Sequence, residues 1–190
     1  MGENQVMPLP HKTFYTEKDY YNLPENVRAE LIDGQIHYIA APGRLHQKIL
    51  MEIAGTIRDY IKSNNGVCEV YPAPFAVELS DVHDGMNHIV EPDISVICDS
   101  KKLTDRGCTG APDWIIEIVS PSNPKHDYIT KLALYERAGV REYWIVDLMQ
   151  KRILVYLFEP DAVVNIFTFN DTVKSGIYED LLIDFSSLGL

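Results

Sequence analysis

The chain has 190 residues, of which 46% are hydrophobic and 24% charged, a balance that suits one folded domain and excludes a disordered or fibrous chain. Mean hydropathy is −0.12, and no apolar run approaches the roughly 18 residues that a membrane-spanning helix needs. The formal net charge of −11 argues against loose, nonspecific nucleic-acid binding, which rests on basic patches.

The N-terminal stretch MGENQVMPLPHKTF lacks the basic start and apolar block of a secretory signal, which predicts a cytoplasmic protein. Residues 1–13 are expected to form a mobile arm, and residues 14–190 a single domain. Cys68, Cys98 and Cys108 are odd in number and lack C-x-x-C spacing. They are therefore read as reduced thiols, neither a disulfide framework nor a zinc site.

In chain order, TEKDYYNLPENVRAE predicts a short helix with Thr16 as its N-cap and Glu17 in its first turn. AELIDGQIHYIAA follows as a hairpin turning at Asp33-Gly34. After the break at Pro42-Gly43, apolar residues recur at Leu45, Ile49, Ile53, Ile57 and Ile61. That spacing predicts a long amphipathic helix ending near SNNG. VCEVYPAPFAVEL is extended, with prolines that suggest an edge or an interrupted strand.

HIVEPDISVICD is expected as one strand, SKKLTDRGCTGAP as a polar loop, and DWIIEIVS as a fully buried strand. PSNPKHDYITKLALYERAGV reads as loop then helix, with Gly139 just past its end. EYWIVDL is another buried strand, and KRILVYLFE and VVNIFTFN form a terminal antiparallel extension. Strands that are apolar on both faces need cover on both sides, which predicts an α/β fold around a mixed central sheet flanked by helices.

Two acids interrupt the buried strands. Side-chain alternation places Asp93 with Ser95 and Ile97, and Glu117 with Ile115 and Val119. Pairing of these strands would bring the two carboxylates together, where unpaired ionised acids cost several kcal/mol each. A hard divalent cation, Mg²⁺ or Mn²⁺, is one resolution, and it would activate water for attack on a phosphoryl group. The other is a turn acid beside Pro92 at Asp93 and an arginine partner for Glu117.

Pro92-Asp93 and Glu117-Ile118-Val119 resemble the signature of the PD-(D/E)XK nuclease superfamily, a Pro-Asp on one strand and an acid-x-Lys on the next. The ordered run from EPDISVI through APDWIIEIVSPSNPKHDYITKLALYERAGVREYWIVD resembles the Uma-two family of restriction-endonuclease-like proteins, as do the ELIDG hairpin from Glu30 to Gly34 and His46 at the start of the long helix. The resemblance runs from about Phe14 to Phe158. It implies a restriction-endonuclease-like fold, DNA as substrate and a divalent metal.

Val119 stands where the superfamily motif has lysine. Lys131 is the candidate replacement, on a helix where Asp127, Tyr128 and Tyr135 lie near its face. The wheel places Leu132, Ile129, Ala133 and the two tyrosines on the buried arc, with Lys131 at its edge. The resemblance implies the same relocation; the other reading is a surface lysine paired with Asp127. Glu30 is either an exposed hairpin acid or, by its match to the family, a further metal or water ligand. His46 is either a structural histidine or a phosphate or proton contact.

Asp127 either orients Lys131 or sits in a favourable first turn. Asp147 reads as a strand-end turn acid. His83, His88 and His126 are too scattered for zinc, and Trp114, Tyr143 and Trp144 belong to the core. The leading expectation is a Mg²⁺- or Mn²⁺-dependent endonuclease with Asp93, Glu117, Lys131 and Glu30 as catalytic residues, and Asp93 and Glu117 as metal ligands. The alternative is a catalytically inactive module of the same fold that binds protein or nucleic acid. RILVYLF and VVNIFTF offer either a homodimer interface or the end of the monomer's sheet.

Overall fold

Asp33 and Gly34 carry positive φ angles of 50° and 67°, as a two-residue hairpin turn requires. A Cβ at position 34 would also strike the Phe14 ring, so glycine is the residue that fits. Ahead of this turn runs α1 (Glu17–Tyr21), begun at Thr16, whose backbone N–H donates to the Asp19 carboxylate at 2.9 Å. The turn joins β1 (Ala29–Ile32) to β2 (Gln35–Tyr38). The computed structural model describes residues 13–80, 85–119, 126–158 and 163–189, so the predicted N-terminal arm lies, Thr13 apart, outside the described residues.

The periodic apolar stripe forms α2 (Arg44–Ser63), and Ile49, Leu50, Ile53, Ala54, Ile57 and Ile61 are its buried face. Beyond it come β3 (Glu69–Pro72) and β4 (Ala76–Ser80), then β5 (Asn87–Val90) and β6 (Ile94–Ile97). The segment expected as a polar loop holds a 3₁₀ turn and the short pair β7 (Leu103–Thr104) and β8 (Gly107–Thr109). The central strand β9 (Trp114–Val119) is buried at every residue. A π-helical segment, His126–Lys131, leads into α3 (Leu132–Ala138), which ends at Gly139 with φ 87°. The chain then runs through β10 (Glu142–Asp147), β11 (Arg152–Leu157), β12 (Val163–Thr168), β13 (Thr172–Lys174) and β14 (Leu182–Asp184).

These strands form two six-stranded sheets, ordered β2-β1-β5-β4-β8-β7 and β12-β11-β10-β9-β6-β3, beside the small pair β13-β14. In the second sheet β9 and β10 are parallel and the other neighbours antiparallel, which is the mixed sheet expected. One face of β9 and β10, with Trp114, Ile116, Ile118, Trp144 and Val146, packs on α2 and the C-terminal segment. The opposite face, with Ile115, Val119, Tyr143 and Ile145, packs on α3 and on Ile32, Val77 and Val90 of the first sheet. The second sheet is thus covered on both sides, as continuous apolar strands demand.

Three expectations need correction. HIVEPDISVICD is two strands in different sheets, because Pro92 has no N–H to continue a ladder and the chain crosses between the sheets there. Cys68 and Cys98 are joined in a disulfide rather than left reduced, and Cys108 is the free buried cysteine. Extending the β3–β6 register by one residue past Glu69↔Ile97 sets these two cysteines directly opposite each other. Ile129, placed on the buried arc, is 65% exposed. The π winding turns fewer degrees per residue than an α-helix, which moves Ile129 outward.

Candidate active site

The antiparallel register Ile94↔Ile116, carried one residue further, sets Asp93 opposite Glu117. Alternation then aims both side chains to the face shared with Ile115 and Val119. The two acids also bind each other's strand. The Ile118 N–H donates to Asp93 Oδ2 at 2.8 Å, and the Asp93 N–H points at Glu117 Oε2 from 3.4 Å.

Lys131 closes the pair from the other side. Its ammonium lies 2.8 Å from Glu117 Oε1, 2.9 Å from Glu30 Oε1 and 3.6 Å from Asp127. The Tyr135 hydroxyl donates to the same Glu117 oxygen at 2.8 Å, and Glu30 Oε1 also accepts the Glu91 N–H at 3.0 Å. The π segment that delivers Lys131 is tied down by two tyrosines. Tyr143 donates to the Asp127 carbonyl at 3.1 Å, and Tyr128 donates to Asp147 at 2.6 Å.

Burial sets the electrostatics. It pushes the Glu117 carboxyl up to about 8; Lys131 pulls it down, while Asp93, Asp127 and Glu30 push it further up. Burial would lower the Lys131 ammonium, but Glu117, Glu30 and Asp127 outweigh it and hold the group well above an ordinary lysine. Burial and the same Glu117 and Glu30 charges keep Tyr135 a neutral hydroxyl donor. Glu142 shows the contrasting solution for a buried acid: it takes hydrogen bonds from Gly176, Ile177, Trp144 and Ser175 and clamps the C-terminal segment to β10.

His46, from the first turn of α2, contacts Asp93 Oδ2 through Nε2 at 3.0 Å. A cavity of about 610 Å³ opens over these groups, lined also by Arg28, Glu91 and the β2–α2 connection. Arg28 and Glu91 form an ion pair at 2.8 Å. Neither residue carried a local sequence signal, because only the β1–β5 pairing makes them neighbours of the site. Asp147 caps the turn after β10 through the Met149 and Gln150 N–H groups, as a strand-end acid should. His88 is buried in the first sheet near Asp33, and His83 lies outside the described residues.

The donor set suits a hard cation that keeps most of its water. Glu30, Glu91, Asp93, Glu117 and Asp127 line the cavity against the fixed cations Arg28 and Lys131. The short hydrogen bonds to the facing acids converge on one oxygen of each, Asp93 Oδ2 and Glu117 Oε1. Among the described residues no group of three or more His, Cys, Asp or Glu is arranged as a metal cage. Two carboxylates with water fit Mg²⁺ or Mn²⁺ and do not fit zinc.

Comparison with known proteins identifies the fold and the family. A crystal structure described as "a putative nuclease belonging to DUF820" from Anabaena variabilis ATCC 29413 superposes with a TM-score of 0.74 at 22% identity, covering 91% of this chain and 96% of that one. The fold is therefore that of this nuclease neighbour. "Uncharacterized protein slr1290" of Synechocystis sp. (strain ATCC 27184 / PCC 6803 / Kazusa) is 23% identical over 128 residues, 67% of this chain but only 64% of that relative's length. The family model Uma2, described as "Putative restriction endonuclease", matches residues 17–182. A match across nearly the whole chain makes this protein a member of the Uma2 family.

Proposed function

We propose that this chain is a divalent-metal-dependent endonuclease that hydrolyses DNA phosphodiester bonds. Asp93 and Glu117 are the metal ligands, and Lys131 and Glu30 complete the catalytic set. The observation that carries this reading is the Lys131 ammonium, 2.8 Å from Glu117 and 2.9 Å from Glu30, standing in for the lysine that Val119 replaces.

Bound Mg²⁺ or Mn²⁺ would supply an acidified water and a counter-charge for the phosphoryl group. The chain's own residues do the rest. The cationic Lys131 offsets negative charge that builds on the phosphoryl oxygens during attack. Glu30 anchors that ammonium and offers a second carboxylate to orient the attacking water. His46 holds the Asp93 carboxylate in place from outside the pair. A homodimer belongs to the same reading, because β12 is an edge strand that exposes Val163, Val164 and Ile166.

Incubation of supercoiled plasmid and single-stranded circular DNA with Mg²⁺ or Mn²⁺ tests the reading. Cleavage by the wild type that disappears in Asp93→Ala is the expected result. No cleavage of either DNA by the wild type, or equal cleavage by the variant, rejects it.

A further inference from the structure

The acids and lysine of the site are recessed: Glu117 is 4% exposed and Lys131 5%. A backbone phosphate reaches them by entering the cavity of about 610 Å³, a volume suited to a nucleotide-sized group. Its lining includes the apolar residues Tyr38 at the end of β2, Ile39 and Pro42 of the β2–α2 connection, Leu45 of α2, and Leu148. Tyr38 leaves 61% of its surface exposed to solvent.

Binding by charge alone, to duplex or to single strand, depends on lysines and arginines free to neutralise phosphates. The fixed cations that line this cavity among the described residues are Arg28 and Lys131. Both are already ion-paired, Arg28 with Glu91 at 2.8 Å and Lys131 with Glu117 at 2.8 Å. An aromatic ring among apolar lining residues adds affinity of another kind, by stacking on a base. Stacking of that kind requires a base whose face is free, and extracting one from a duplex costs a few kcal/mol that an unpaired nucleotide does not.

We propose that the site takes single-stranded or locally unpaired DNA, with one base seated on Tyr38 against the apolar lining while its phosphate reaches the acids. This inference rests on the hydrolytic reading above for its catalytic step, but the binding it describes is measured without hydrolysis. Tyr38 is a binding residue here and lies outside the catalytic set.

The test is fluorescence anisotropy of a labelled 12-nucleotide single strand and the matching duplex, with Ca²⁺ replacing Mg²⁺, on wild type, Tyr38→Ala and Tyr38→Phe. The single strand is expected to bind at least about tenfold tighter than the duplex. Loss of one base–aromatic stack, about 1–3 kcal/mol, predicts that Tyr38→Ala weakens single-strand binding about fivefold to a hundredfold, with Tyr38→Phe restoring it. Equal or tighter binding of the duplex, or an unchanged single-strand affinity in Tyr38→Ala, overturns the proposal. Single-strand preference in a protein that cuts no DNA keeps this inference and removes the hydrolytic one; efficient duplex cutting with duplex preference does the reverse.

Discussion

Lys131 Nζ and Glu30 Oε1 stand 2.9 Å apart, although Glu30 belongs to the first sheet and Lys131 to the segment that crosses over the second. One ammonium therefore joins both sheets at the floor of the site. Lys131→Met leaves Glu117 and Glu30 buried beside each other without their cation. Removing one partner of a buried pair costs about 3–5 kcal/mol, so a large fall in Tm is expected along with loss of cleavage. Val119 lines the same cavity. Adding Val119→Lys to Lys131→Met is expected to recover part of the cleavage rate, and no recovery would break the equivalence of the two positions.

Stability should depend on pH in a defined direction. Glu117 is raised from 4.5 to about 8, so the folded state favours its protonated form. Its stabilising contribution is full below pH 4.5 and is lost as pH rises towards 8. Metal-free wild type in EDTA is expected to lose Tm between pH 5 and 8.5 more steeply than Glu117→Gln. Parallel curves for the two proteins would contradict the assignment.

Divalent metal should reverse that loss. A ligand held at about a hundred times its Kd stabilises by about 2.7 kcal/mol, which is roughly 5–10 °C in a chain of this size. Mn²⁺ is expected to raise Tm by that order in wild type and not at all in Asp93→Asn. His46→Gln, which removes the imidazole 3.0 Å from Asp93 Oδ2, is expected to weaken Mn²⁺ affinity about 10–100-fold, read as a smaller Tm shift at the same Mn²⁺ concentration. A wild-type melting curve indifferent to Mn²⁺ would count against the metal site itself.

The outer strand of the second sheet carries the oligomer prediction. β12 has an open edge, and Val163, Val164 and Ile166 are exposed on it, Ile166 by 64%. An uncharged, unpaired edge is a template for another strand. Light scattering on eluting protein is expected to give the mass of a dimer for wild type and of a monomer for Ile166→Lys. A monomeric wild type at tens of micromolar would dispose of the dimer.

The cysteine pair makes its own prediction. Cys68 and Cys98 are 30 residues apart, and closing a loop of that length is worth about 3–4 kcal/mol in the chain-entropy account. Unfolded, non-reduced protein is expected to titrate a single thiol, that of Cys108, and Cys68→Ser to melt below oxidised wild type. A count of three thiols would show that the bond does not form in solution.

What was legible in the sequence follows the range of each interaction. Alternation along DWIIEIVS put Glu117 on the face of Ile115 and Val119, because strand period is a local property. The hairpin at Asp33-Gly34 and the stripe of α2 were legible for the same reason. The meeting of Asp93 with Glu117 followed from reading the strands as neighbours, which the register bears out, whereas Lys131 came from the helical wheel and the family resemblance, and its ammonium lies 2.8 Å from Glu117. The split at Pro92 was missed because the apolar residues on both sides of it look like one run. The π segment was missed because a helical wheel assumes α winding, and Ile129 paid no local penalty for facing water. Cys68 with Cys98 and Arg28 with Glu91 depend on pairing between distant strands, which no local pattern announces.

The crossing at Pro92 has a consequence for the newly made chain. Glu30 and Glu91 come from one sheet and Glu117 from the other, with Asp93 one residue past the proline that links them. A polypeptide that has assembled either sheet alone holds only scattered fragments of the constellation. Under the hydrolytic proposal, cleavage is therefore expected only from molecules whose two sheets have docked.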